Sequence, residues 1–323
     1  MLSQDSLRQR FSAMTMQEAY QLGEERLTRA GIEEARLDAW YLLEHVTGIG
    51  RAMYYAMPDK QLSEVEEQKY LYYIEERAGR VPLQHLTGVQ EFMGLEFRVN
   101  EHVLIPRQDT ETAVEEALKV IRNQTVIQKQ NIIQNQNEVH NLKAPHNQDI
   151  PQFRILDLCT GSGCILLSVL HYAKREKDIK LKGIGADISK EALQVARENA
   201  ETLYIEAEFQ ESDLFEKIEG SYEMIISNPP YIRTDVIQTL QEEVREHDPW
   251  IALDGKEDGL YFYRKIVDEA RDYLVQGGTL IFEIGSDQGI EVSELMKNAG
   301  YRNIMVKKDL AGLDRVVIGV YDK

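Results

Sequence analysis

The sequence predicts an α/β fold with a mostly parallel sheet, preceded by a separate helical-bundle domain. The sheet is predicted by short apolar runs that alternate with amphipathic helical patterns from about residue 153 onward. A glycine-rich turn and a Pro-Pro turn each directly follow one of these apolar runs. The helical domain is predicted by apolar residues at helical spacing before Arg80, whose single apolar face is too small to be the core of the whole chain.

Composition excludes several classes of protein. The chain has 323 residues, 43% of them hydrophobic, which excludes a disulfide-stapled miniprotein and a wholly disordered chain. Its net charge of −18 opposes stable binding to nucleic acid or to an anionic membrane. The two cysteines lie too close together for a framework disulfide, and no apolar run is long enough to span a membrane. We therefore expect a cytoplasmic protein without membrane contact.

The N-terminal helical domain is predicted over residues 1–80. Capping boxes that begin at Thr15 and at Ser63, each with a glutamate three residues later, predict two helix starts. Between them a helical pattern ends at Gly48. Residues 81–104 contain short apolar runs broken by glycine, which predicts a β-hairpin linker.

The α/β domain is predicted over residues 105–323, with an insertion at 123–149. The insertion holds 12 Asn or Gln residues in 27 positions, and its apolar residues have no period. Such a segment buries too little apolar surface to offset its ordering entropy, so we predict that it is disordered. A role as a contact arm for a partner remains an alternative.

Strands and helices alternate after the insertion. The predicted strands are Phe153–Leu158, Lys182–Asp187, Glu206–Gln210, Tyr222–Ser227, Gly278–Ile284, Asn303–Val306 and Arg315–Tyr321. The predicted helices are Gly163–Ala173, Ser189–Thr202, Leu260–Leu274 and Gly289–Ala299. Too few residues separate the last two strands for a helical crossover, so one of them should run antiparallel. Ligands of such sheets bind outside the carboxyl ends of the strands.

The first strand ends in a glycine-rich turn that runs from Asp157 to Gly163, Asp-Leu-Cys-Thr-Gly-Ser-Gly. Glycines there allow a ligand to approach the backbone closely at a helix start, although a plain tight turn is equally compatible with the pattern. Leu166 replaces the third glycine of the dinucleotide fingerprint, which argues against NAD. Asp187 ends the next strand and could bind both hydroxyls of a ribose, or else only support the following helix start. Together the two features favour a nucleoside ligand.

The fourth strand is followed by Asn228-Pro-Pro-Tyr231. Two prolines prevent helix or ladder continuation and so predict a rigid turn. The side-chain oxygen of Asn228 and the carbonyl of Pro229 are two acceptors that suit a planar NH2 group, and Tyr231 offers a face for stacking. The motif predicts a site for an amide or an amino-substituted base.

These motifs, in this order, resemble the class I, Rossmann-like methyltransferases that use S-adenosylmethionine to modify planar NH2 nitrogens. Two further segments, Pro82–Gly88 and Ile105-Pro-Arg-Gln-Asp-Thr-Glu111, closely resemble the release factor glutamine methyltransferases, the HemK or PrmC family. The resemblance covers nearly the whole chain. It implies methylation of the glutamine N5 in the Gly-Gly-Gln motif of peptide chain release factors.

The resemblance also implies which residues form the site. The substrate amide is held by Asn228, Pro229, Pro230 and Tyr231, with Asn228 and Pro229 as the catalytic acceptors. The cofactor contacts are Cys159, Thr160, Gly161, Ser162, Gly163, Asp187, Asp213, Leu214 and Asn228. No metal is implied, and the helical domain is expected to dock the protein substrate.

Three residues depart from the family pattern: Cys159 replaces a common glycine, Gln108 a usual proline and Leu214 an occasional aromatic residue. We expect Cys159 to adopt a conventional backbone conformation as a small packed residue, and Glu283 to be structural or solvated. The main alternative is an N6-adenine or N4-cytosine DNA methyltransferase, which uses the same turn on a flipped base. The charge of −18 argues against it. A non-catalytic binding module is the other alternative.

Overall fold

The computed structural model describes residues 13–138, 152–174 and 179–322. The chain divides into two units. One comprises the residues up to Val89 together with Gln241–His247, and the other comprises Gln90–Leu240 and Asp248 onward. The first is helical, whereas the second contains the large sheet.

The helical unit begins at the predicted capping boxes. Thr15 and Ser63 each accept a hydrogen bond from the backbone N–H of the glutamate three residues later, and each glutamate side chain bonds back to the cap. The helices of this unit are α1 (Met16–Arg29), α2 (Ala35–Thr47), α3 (Arg51–Ala56), α4 (Glu64–Ala78), α5 (Leu83–Thr87) and α10 (Glu242–His247). Helix α5 lies within the segment predicted as a hairpin linker.

A buried ion pair connects the helices of this unit. Arg77 of α4 donates to Asp38 of α2 at 2.7 Å, and both side chains are less than a tenth exposed. The same guanidinium also contacts Glu243 of α10 at 3.0 Å. Residues that are far apart in the sequence are therefore held together by one arginine.

The α/β unit contains a two-stranded hairpin and a seven-stranded sheet. The hairpin strands are β1 (Val89–Phe92) and β2 (Leu95–Arg98). The large sheet has the order β5-β4-β3-β6-β7-β9-β8. Its strands are β3 (Gln152–Leu158), β4 (Lys180–Asp187), β5 (Glu208–Glu211), β6 (Tyr222–Ser227), β7 (Leu274–Glu283), β8 (Tyr301–Lys308) and β9 (Asp314–Tyr321).

Strands β3 to β7 pair in parallel, and β9 pairs antiparallel with both β7 and β8. The predicted mostly parallel sheet with one antiparallel strand is confirmed. Each face carries a buried apolar cluster covered by helices. The helices of this unit are α6 (Glu111–Glu138), α7 (Cys164–Ala173), α8 (Lys190–Thr202), α9 (Thr234–Ile237), α11 (Trp250–Leu253), α12 (Tyr261–Tyr273) and α13 (Gly289–Asn298).

The prediction of disorder over 123–149 is wrong for its first part. Helix α6 continues to Glu138, so residues 123–138 are helical. Gln is a good helix former and Asn is only moderately unfavourable, so a helix already started on a buried apolar face can extend through them. Residues 139–149 of the predicted insertion lie outside the described residues.

No helix in the described ranges is both long enough and apolar enough to cross a membrane.

Candidate active site

A cavity of about 320 Å³ lies at the carboxyl ends of β3, β4, β5 and β6. This volume is within the usual range for small-molecule sites. Of the site residues predicted from the sequence, it is lined by Cys159, Thr160, Gly161, Ser162, Asp187, Asp213, Leu214, Asn228 and Pro230. Gly163, Pro229 and Tyr231 are not part of its wall. The structure thus brings together residues from four separate strand ends.

The loop after β3 forms the floor of this cavity. Thr160 Oγ1 donates to Asp157 Oδ2 at 2.6 Å, and the Thr160 N–H donates to the Ala186 carbonyl at 3.0 Å, which fixes the loop against β4. Asp157 is fully buried, and burial raises its pKa to about 7. Gly161 has a φ of 54°, and no atom lies within 4 Å of where its Cβ would sit. The space beside its backbone is therefore open to a ligand.

The prediction of a conventional backbone at Cys159 is wrong. Its φ is 58°, in the left-handed region that favours glycine. The turn out of the strand requires this conformation, which explains why glycine suits the position. Burial raises the pKa of both Cys159 and Cys164, so both thiols stay protonated at neutral pH. Neither thiol is an activated nucleophile.

Asp187 stands at the end of β4 and accepts two backbone hydrogen bonds. Its Oδ2 accepts from the Gly161 N–H and its Oδ1 from the Ser189 N–H, each at 2.9 Å. Burial raises its pKa, and these bonds oppose that shift. Each carboxylate oxygen has a second lone pair, so Asp187 can hold the loop and still accept from a ligand hydroxyl.

Asp213 and Leu214 line the cavity from the loop after β5. The Ser212 N–H donates to the Asp187 carbonyl at 2.9 Å, and Ser212 Oγ donates to the Leu214 carbonyl, also at 2.9 Å. Leu214 is buried with a φ of 49°. These bonds place the loop beside Asp187.

The Asn-Pro-Pro-Tyr turn follows β6. Asn228 is partly exposed and lines the cavity, while Pro229 and Pro230 are buried. Tyr231 lies in the wall of a neighbouring depression with Arg315, and its stacking role stays a prediction.

Three residues not predicted from the sequence, Gln288, Gly255 and Gly259, pack against the backbone of Tyr231 in this turn, and we refer to them as the Tyr231 clamp. Gln288 Nε2 donates to the carbonyls of Tyr231 and Gly259, each at 3.2 Å. A Cβ at Gly259 would lie 2.4 Å from the Tyr231 carbonyl oxygen, and one at Gly255 would lie 2.7 Å from the Tyr231 backbone. Gly255 and Gly259 follow the Pro-Pro turn in the sequence, and they are the features from which this close packing could have been predicted.

The segment before α6 supplies another wall. Arg107 lines the cavity and donates to the buried Asp248 at 2.8 Å, and Thr110 lines it nearby. Lys256 and Lys265 are further basic residues of the wall. None of these four side chains is among the site residues predicted from the sequence.

Glu283, predicted to be structural or solvated, lies at the end of β7 beside this site. It is 2% exposed, and its burial raises its pKa to about 7. The side chains of Thr110 and Asn228 interact with its carboxyl and oppose that shift. Its position next to Asn228 follows from strand pairing, which no local sequence pattern reveals.

The residues present fit a nucleoside cofactor such as S-adenosylmethionine. The open space beside Gly161 can take the cofactor close to the backbone, and the Asp187 carboxylate in the wall offers an acceptor for ribose hydroxyls. Among the described residues no group of three or more His, Cys, Asp or Glu side chains could hold a metal ion.

Comparison with known proteins identifies the family of the chain. A family model described as the PrmC N-terminal domain matches residues 18–88, and the methyltransferase small domain matches residues 139–247. Release factor glutamine methyltransferases of Agrobacterium fabrum and Clostridium acetobutylicum are each 37% identical, over 90% and 88% of this chain and 92% and 90% of theirs.

A solved release factor-specific protein-(glutamine-N5) methyltransferase from Alicyclobacillus acidocaldarius is 25% identical over 70% of this chain and 100% of its own, with a TM-score of 0.36. The identity to the sequence relatives, over nearly their full length, decides the family. The chain belongs to the S-adenosylmethionine-dependent release factor glutamine methyltransferases, the PrmC/HemK family.

Proposed function

We propose that this chain methylates N5 of the glutamine in the Gly-Gly-Gln motif of peptide chain release factors. The observation that carries the proposal is that Asn228 and Asp187, from different strands, line one cavity. A substrate acceptor and a cofactor acceptor therefore face the same space. Family membership supplies the identity of the amide.

The turn would activate a poor nucleophile. An amide nitrogen is unreactive because its lone pair is delocalised into the carbonyl. Asn228 Oδ1 and the Pro229 carbonyl would accept its two N–H bonds, favour pyramidalisation and stabilise the positive charge that develops on nitrogen. S-adenosylmethionine supplies the methyl group. No protein nucleophile is needed, in line with the protonated thiols of Cys159 and Cys164.

The remaining site residues have supporting roles in this proposal. Residues 159–163 and Asp187 hold the cofactor, with Asp213 and Leu214 near its adenine. Pro230 and Tyr231 complete the substrate side of the turn. The helical unit docks the release factor, because orienting two macromolecules has an entropic cost that one glutamine cannot offset.

Release factors act on ribosomes, so we place the reaction in the cytoplasm. The net charge of −18 is unfavourable for stable nucleic-acid binding, the requirement of the alternative DNA methyltransferase.

The test is methylation of a defined substrate. The protein is incubated with labelled S-adenosylmethionine and a release factor, a release factor with Gly-Gly-Ala in place of Gly-Gly-Gln, or duplex DNA. Mass spectrometry should place the label on the glutamine of the first substrate alone. Label on DNA, or equal label on the Gly-Gly-Ala protein, would contradict the proposal.

A further inference from the structure

Glu283 is a buried carboxyl that the proposed reaction leaves without a role. Strands β6 and β7 are parallel, with Ser227 opposite Phe282. Glu283 is the last residue of β7, and Asn228 directly follows the last residue of β6. Side chains alternate along a strand, so Glu283 points to the face that Ile226 and Ile281 share, and the Asn228 side chain lies close enough to interact with its carboxyl. The topology thus places the carboxyl beside the amide of the substrate-binding turn.

The backbone of Glu283 is fixed in this place. The Tyr263 hydroxyl donates to the Glu283 carbonyl at 2.9 Å, and the Ile284 N–H donates to the Arg315 carbonyl at 2.9 Å. Because the strand end cannot shift, the carboxyl has only its own side-chain torsions with which to find partners.

The carboxyl is not fully satisfied. In the described part of the chain, Glu283 Oε2 makes no hydrogen bond, and neither does the buried Thr110 Oγ1. Thr110 and Asn228 nevertheless lie close enough to lower the Glu283 pKa. A buried acceptor without a donor is costly, so a small rotation that brings a donor to Oε2 is favoured.

We propose that Glu283 is a positioning residue, whose carboxylate accepts a hydrogen bond from Asn228 Nδ2 and thereby turns Asn228 Oδ1 toward the substrate amide. The proposal rests on the proposed function. An asparagine amide rotated by 180° presents NH2 where oxygen is required, and two NH2 groups repel each other. Thr110 would donate to the same carboxylate and hold it toward Asn228.

The charge state of Glu283 should then control the rate. A protonated carboxyl would donate to Asn228 Oδ1 and compete with the substrate, whereas the carboxylate only accepts. Burial raises its pKa to about 7, so kcat should rise with pH through that value. The ionisable groups that face it are Asp109, Cys164, Tyr231, Tyr263 and Arg315.

The kinetic test uses full-length Glu283→Ala and Glu283→Gln with a release factor substrate. Loss of the acceptor in Glu283→Ala should lower kcat about 10–100-fold, the usual effect of losing an orienting partner, without weakening S-adenosylmethionine binding. Glu283→Gln retains an acceptor oxygen and should keep most of kcat but lose the pH dependence near 7. The control is Glu116→Gln, at a buried glutamate paired with Lys119 and Lys307. This variant should leave kcat and its pH dependence unchanged.

A spectroscopic test separates this proposal from the proposed function. In protein labelled with 15N-asparagine, the Asn228 side-chain signal, assigned by its loss in Asn228→Asp, should shift with a midpoint near pH 7 and should not do so in Glu283→Gln. Absence of this titration in the wild type, or an unchanged kcat in Glu283→Ala, would overturn the positioning role. An enzyme inactive on release factors that still shows the titration would refute the proposed function alone.

Discussion

Asn228 lines the cavity from the end of β6, whereas Asp187 lines it from the end of β4. Asn228→Ala removes the acceptor that we assign to the substrate amide. We expect kcat to fall by about 10²–10³, the usual effect of losing one positioned polar group. The affinity for S-adenosylmethionine should change no more than a few-fold. Single-turnover methylation and calorimetry measure the two quantities, and near-normal turnover would contradict the assigned role.

Asp187 has two structural hydrogen bonds as well as its proposed ribose contact. Asp187→Ala should weaken S-adenosylmethionine binding by about 1.5–3 kcal/mol through loss of charge-assisted hydrogen bonds. The control is Ser63→Ala, which removes a comparable helix cap, bonded by the Glu66 N–H at 3.3 Å, outside the cavity wall. That variant should cost about 1 kcal/mol of stability without changing affinity. Unchanged affinity in Asp187→Ala would leave it a structural residue only.

At the scale of structural elements, the Tyr231 clamp leads to a specific prediction about the Asn-Pro-Pro-Tyr turn. Gly259 and Gly277 have nearly equal φ values, 74° and 75°. A Cβ at Gly259 meets the Tyr231 carbonyl, whereas one at Gly277 meets no atom within 4 Å. Alanine at either position should cost about 1–2 kcal/mol of backbone strain. Gly259→Ala should in addition displace the turn and lower kcat, and equal kcat in the two variants would show that the clamp has no effect on activity.

The elements that sequence patterns predicted well are those with strong local signals. Strand β6 is bounded by polar residues and a Pro-Pro turn, and its predicted range Tyr222–Ser227 is the observed one. The extent of α6 was missed because its second half lacks an apolar period. The position of Glu283 beside Asn228 was missed because it depends on the pairing of two strands separated by more than 45 residues of sequence.

At the scale of the whole molecule, Arg77 should dominate the stability of the helical unit. Arg77→Met would leave Asp38 buried without its countercharge, and breaking such a pair costs about 3–5 kcal/mol. The control is Arg26→Met, in which the lost partner Glu75 is 61% exposed and the Arg26 side chain itself was 41% exposed, so Tm should change much less. Thermal unfolding of both variants measures the difference. Similar Tm values would show that the buried pair does not support this unit.

Residues Gln241–His247 fold with the helical unit although the chain on both sides of them belongs to the α/β unit. A gene segment that ends at Val89 therefore does not encode the whole helical unit. In evolutionary terms, a fusion that added only the residues up to Val89 would leave Arg77 without its contact to Glu243. A chimera that takes the N-terminal domain of a relative should likewise take the relative's counterpart of 241–247.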